Sequence, residues 1–142
     1  VAGLDAMRSL HVCFSDYAAL WPEVLRLDGC DDLQLELANR DARELGARRQ
    51  ARPGYAGMQG LFLREGSPAL GLGVVDIHTD FIEPAELVRD RVLCALSLVG
   101  PSRVSGVNPD CGLRTRTWTV AYEKLQRMVE GTRMAENEFN GG

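Results

Sequence analysis

Four side chains of this sequence are of the kinds that hold a transition metal. His11 and Cys13 stand two apart in "SLHVC", Glu36 closes the apolar run "DLQLEL", and Cys111 follows "VNPD" ahead of a glycine. Alternate side chains of a β-strand project to one face, so His11 and Cys13 share a side. Glu36 is a carboxylate in an apolar run, a costly placement unless it is paired or coordinated. Taken singly, each has an ordinary explanation. His-x-Cys arises by chance, Glu36 can pair with Arg40 or Arg43, and a lone cysteine is more often structural than functional. Taken together, one imidazole, two thiols and one carboxylate make a mixed N, S and O donor set that suits zinc. Cys30 and Cys94 fall in a predicted loop and a predicted helix and read as ordinary buried or neutral thiols.

The elements that must bring these residues together follow from hydrophobic periodicity and turn signals. Four strand-then-helix units are predicted. "SLHVC" (9–13) precedes a helix near "WPEVLRLDG", where Pro22 suits a first helical turn. "DLQLEL" (32–37) precedes a short helix in "DARELGARR". "LGLGVVDIH" (70–78) precedes a helix between Pro84 and Gly100, with Val88, Val92, Leu96 and Val99 at helical spacing. "RVSGVN" (103–108) precedes a helix from about Thr117 to Met134, with Ala121, Leu125, Met128 and Val129 as its apolar stripe. Residues 46–69 lack a period and read as a long loop. Its arginines Arg48, Arg49 and Arg52 either face solvent or hold an anionic substrate tail. The polar residues 135–142 read as a flexible tail.

Alternating β and α units with apolar strands imply an α/β fold with a parallel sheet covered by helices. In such folds functional residues gather at the C-terminal strand ends, where all four candidate ligands fall. A closed (β/α) barrel takes eight units and about 250 residues. The four units here are therefore expected to form about half of a TIM-type barrel, completed by a second polypeptide or by a homo-oligomer. A self-sufficient four-stranded domain is the alternative.

The chain has 142 residues, 45% of them hydrophobic and 25% charged, which fits one globular domain. Its net charge of −4 excludes the basic surface of a general nucleic-acid binder. No apolar run reaches the roughly 20 residues that span a bilayer, and no signal peptide is visible. The four cysteines are too widely spaced for a small disulfide scaffold, so the expected compartment is the cytoplasm.

"HVCFSDY", "LQLELANR", "GLGVVDIH" and "VNPDCGLRTRTW" occur in the order that marks the C-terminal half of the catalytic barrel of cobalamin-independent methionine synthases, and the chain resembles that family from about residue 9 to residue 134. The resemblance implies a zinc ion held by His11, Cys13, Glu36 and Cys111. It implies homocysteine as the thiol that accepts a methyl group, and a methylated folate as the donor. It also implies that His78, of "DIH", protonates the departing folate nitrogen, with Asp76 on the same strand face. Asp110 either orients a ligand or caps the following turn. The chain departs from the family in having "LANRD" where a serine-arginine-serine stretch is usual, and in a longer link before "GLGV". Two readings stay open beside the folate-dependent enzyme. One is a related enzyme with a corrinoid methyl donor or a different thiol; the other is a non-catalytic zinc-binding or regulatory subunit.

Overall fold

The computed structural model describes residues 6–20, 23–26, 29–58 and 66–141. Four strands, β1 (Ser9–Val12), β2 (Asp32–Leu35), β3 (Ala69–Val75) and β4 (Val104–Pro109), form one parallel sheet in the order β1-β2-β3-β4. Strands consecutive in sequence are neighbours in the sheet. The register pairs His11 with Gln34 and Gln34 with Gly71. Between the strands lie α1 (Tyr17–Leu20), α2 (Pro53–Ala56) and α3 (Ala85–Val99), and α4 (Trp118–Gly141) closes the order. The expected helix start at Pro22 lies outside the described residues. No helix among the described residues is long and apolar enough to cross a membrane.

The two sheet faces differ in chemistry, as the period-2 pattern requires. Leu33, Leu35, Leu70, Leu72 and Val74 are fully buried beneath α3 and α4, where Val88, Val92, Ala95 and Ala135 meet them. The opposite face carries Ser9, His11, Asp32, Gln34, Ser105 and Asn108. Asp32 collects hydrogen bonds there from the Ser9 and Ser105 hydroxyls and the Gln34 amide. Ser105 sits on β4 and Asp32 on β2, so this bond crosses β3. It can do so because β3 presents glycines to that face: a Cβ on Gly71 would collide with the Gln34 side chain, and one on Gly73 with the Leu35 carbonyl at 2.5 Å. The alternating glycines of "LGLGV" thus clear the middle strand for side chains from its neighbours.

Several expectations need correction. The segment "DARELGARR" is not a helix. Asp41 instead receives two buried guanidiniums, Arg52 at 2.8 Å and Arg91 at 2.9 Å, which also reach the carbonyls of Ala42 and Glu44. Carbonyls bound outward in this way cannot serve a helical ladder. Arg52 is therefore a buried structural group and not free to hold a substrate tail, while Arg48 and Arg49 are exposed. The loop 46–69 also carries two single helical turns, at Arg49–Ala51 and at α2.

Nor do residues 135–142 form a tail from the end of a shorter helix. α4 runs to Gly141, with Ala135 fully buried against the core. The α4 stripe is also rotated from the expected one. Lys124 turns inward to Glu83 at 2.9 Å and Gly131 packs on α3, leaving Leu125 and Val129 partly exposed beside Trp118 and Tyr122.

At Gly131, α4 packs tightly on α3. A Cβ there would meet Val88 Cβ at 2.6 Å and the Ala85 carbonyl. Gly131→Ala should therefore destabilise the protein by about 1–2 kcal/mol, overpacking outweighing the ~1 kcal/mol gain in helix propensity. Gly57→Ala, with open space around a helical backbone, should be neutral or stabilising by up to ~1 kcal/mol. Urea-denaturation midpoints of the two variants check the opposite signs.

Candidate metal centre

The C-terminal ends of the strands deliver the candidate ligands to one place. His11 lies within β1 and Cys13 one residue beyond it; Cys111 lies two residues beyond β4. The imidazole nitrogen and the two sulfurs lie within 4.8 Å of one another, beside a shallow cleft of about 300 Å³ lined by His11, Gln34, Asn108, Pro109, Cys111 and Gly112. One nitrogen and two sulfurs at this separation fit a tetrahedral zinc ion with room for further ligands. Burial raises the Cys13 thiol above its ordinary range, and the bond and charge of Cys111 and the charge of Glu36 add to the effect. A cation placed among these donors would reverse that shift, because ligation requires the thiolate.

Glu36 stands next to this trio rather than in it. It is fully buried, and its carboxylate is held by protein donors. Oε2 accepts the Phe14 N–H at 2.5 Å, and Oε1 accepts the Asn39 side-chain amide at 3.0 Å. Oε1 also lies 2.5 Å from Nε2 of His78. The partner of Glu36 is thus a histidine and not Arg40 or Arg43. Those two arginines stack on Tyr17 and Phe81.

Phe14, whose N–H reaches Glu36, adopts a left-handed backbone, φ 52°. Its ring then meets the His78 imidazole edge-on, centroids 4.5 Å apart. His78 is 28% exposed, so it is anchored at one nitrogen and still reachable.

His78 and Asp76 lie beyond β3, which ends at Val75, and not on a shared strand face. Asp76 Oδ1 accepts the backbone N–H of His78 at 2.8 Å, while the Asp76 N–H donates to Glu83 at 2.7 Å. Asp76 therefore shapes the turn. Tyr17 ties the neighbouring strand ends together: its hydroxyl accepts the Glu36 N–H at 2.7 Å and lies 3.0 Å from the Val12 carbonyl. Burial pushes its phenol up to about 12, so it stays a neutral pin.

Asp110 is fully buried and accepts the backbone N–H groups of Leu37, Ala38 and Asn39. Burial raises its carboxyl to about 7, although those three donors favour the charged form. Cys94 is buried in the core and pushed up to about 11 by burial, and Cys30 bonds the Asp32 carbonyl. Neither joins the site.

Sequence reasoning missed Phe14, Tyr17 and Asn39. Phenylalanine gives no warning of positive φ, which favours glycine, asparagine and aspartate. Tyr17 and Asn39 act through hydrogen bonds to other strand ends that no periodicity encodes.

Residues 1–134 match the family described as cobalamin-independent synthase, catalytic domain. The chain is 39% identical over 136 residues to a methionine synthase of Thermoplasma volcanium, covering 91% of this chain and 39% of that protein. It is 38% identical over 147 residues to a methionine synthase of Thermoplasma acidophilum, covering 98% of this chain and 40% of that protein. The fold is similar to that of a B12-independent methionine synthase from Shewanella sp. W3-18-1 solved with selenomethionine. That match has a TM-score of 0.77 at 19% identity, over 99% of this chain and 42% of the other. The chain thus spans about two fifths of the length of these relatives.

The pairing of His11, Cys13 and Cys111 sets a chemical expectation. In metal-free full-length protein, iodoacetamide should alkylate Cys13 and Cys111, and the rate at Cys13 should keep rising with pH beyond the ordinary thiol range. Added zinc should protect both, while buried Cys94 stays unreactive throughout. Mass spectrometry of the labelled peptides checks this, and zinc-independent labelling of the pair would contradict it.

Proposed function

The chain belongs to the cobalamin-independent methionine synthase family, and from that premise we propose that it carries the metal-binding part of a methyltransferase active site. The reaction we assign moves a methyl group from a methylated folate to the thiol of homocysteine, giving methionine. The observation that carries this reading is the convergence of His11, Cys13 and Cys111 within 4.8 Å, beside the Glu36–His78 pair. His11, Cys13 and Cys111 would hold a zinc ion, and the family resemblance adds Glu36, which stands beside the trio, as the fourth ligand. When bound, the ion would favour the deprotonated form of the substrate thiol, the form that is nucleophilic.

In the transfer a carbon–sulfur bond forms as a carbon–nitrogen bond of the donor breaks, and the departing nitrogen takes up a proton. His78 suits delivery of that proton, since imidazole is the side chain whose ordinary titration lies nearest neutrality. Its contacts with Glu36 and Phe14 fix the ring, and its partial exposure leaves a route to the donor. A non-catalytic subunit would need the sulfur and nitrogen donors but no histidine poised beside them.

The rest of the active site must come from additional structure. We read the sheet as half of a TIM-type barrel, whose other units are supplied by a second polypeptide or by a second copy. Three features support that reading. Among the described residues, β1 and β4 each have one unpaired edge. A groove of about 510 Å³ runs between β4, α3 and α4. The partly exposed stripe Trp118, Tyr122, Leu125 and Val129 lies on α4 beside it. The four cysteines are free, as a reducing compartment such as the cytoplasm requires.

Turnover of homocysteine and methyltetrahydrofolate by the full-length protein tests the assignment. Methionine should form, and a chelator should abolish its formation. His78→Asn should lower kcat by about 10²–10⁴-fold with zinc content unchanged. Wild-type protein with zinc bound that transfers no methyl group from the folate would overturn the reading, and unchanged turnover in the variant would remove the acid role.

A further inference from the structure

We propose that Asp110 is the positioning residue of the metal site, strapping the loop behind Glu36 to the turn that carries Cys111. The two ligands close β2 and β4, which are not neighbours, because β3 runs between them. The Asp110 carboxylate spans that gap. Oδ1 accepts the N–H groups of Leu37 at 3.0 Å and Ala38 at 2.9 Å, and Oδ2 accepts that of Asn39 at 2.7 Å. The Asp110 N–H donates to the Val75 carbonyl at 3.0 Å, so the end of β3 is held as well. One fully buried residue thus joins three strand ends.

A residue that only capped the turn after β4 would bond that turn. Asp110 instead bonds backbone 71 to 73 residues earlier in the chain. The strapped loop reaches the predicted ligand through one further bond, from the Asn39 amide to Glu36 Oε1 at 3.0 Å. Gly73 makes the crossing possible, since a Cβ there would strike Asp110 Oδ1. The distance between Glu36 and Cys111 is therefore set by a side chain that touches neither donor atom.

This inference rests on the metal reading of the site, and its test separates the two. Metal-free full-length protein is titrated with zinc and, for its visible spectrum, with cobalt(II). Asp110→Asn replaces the acceptor facing the Asn39 N–H with a donor. It should weaken zinc binding about 10–100-fold, as loss of a group that orients ligands typically does. It should also alter the cobalt d–d envelope while leaving the thiolate charge-transfer band. The rise in Tm on adding zinc should shrink, which a loss of stability shared by metal-free and metal-bound forms would not produce.

Asn39→Ala leaves all three N–H bonds to Asp110 intact and should weaken zinc binding in the same sense. If Asp110→Asn fails to fold, Asp110→Glu, which keeps the acceptor oxygens but lengthens the strap, is titrated in its place, and unchanged affinity and spectrum there overturn the inference. Wild-type protein that takes up neither ion overturns the metal reading and the inference with it. Wild-type binding with unchanged affinity and spectrum in the folded variant overturns the inference alone.

Discussion

A carboxylate buried to zero exposure, Glu36, governs the geometry at the working end of this sheet. Burying such a charge is costly unless donors surround it, and the donors come from three separate segments. The Phe14 N–H arrives from the turn after β1, where Phe14 has a left-handed backbone. The Asn39 amide arrives from the turn after β2, and the His78 imidazole from the turn after β3. Satisfying one side chain therefore fixes the path of three strand-end loops. Cys13 lies next to Phe14 in sequence, so the same constraint places a candidate metal ligand.

Beneath this layer, buried charges do for the loops what apolar packing does for the strands. Asp41 binds Arg52 and Arg91, and Glu83 binds Lys124 and the Asp76 N–H, all at or near zero exposure. Removing one partner from such a group typically costs about 3–5 kcal/mol, because its counterpart is left buried and unpaired. These networks give the loops after β2 and β3 few alternative conformations. A site that must hold donors at fixed separation depends on that rigidity. The glycines of β3 complete the arrangement by letting β4 side chains act on β2.

Much of this was legible in the sequence. The four strands, α3 with its Pro84 and Gly100 boundaries, and the gathering of His11, Cys13 and Cys111 follow from periodicity and from the parallel arrangement. What escaped depends on long-range polar contacts. Residues 41–49 have the composition of a helix, yet Arg52 from the following loop and Arg91 from α3 claim their carbonyls. The stripe of α4 was misplaced because Lys124, a residue expected to face solvent, is buried by its ion pair with Glu83. Glu36 was recognisable as a carboxylate needing a partner, but His78 lies 42 residues away and no local pattern joins them.

The account turns on whether these donors act on a thiol through a metal. Zinc X-ray absorption of the full-length protein, recorded before and after addition of homocysteine, tests this most directly. The account predicts one zinc with two sulfur ligands beside nitrogen and oxygen, gaining a third sulfur when the thiol is added. A zinc shell that is unchanged by homocysteine, or one without the two protein sulfurs, would contradict it.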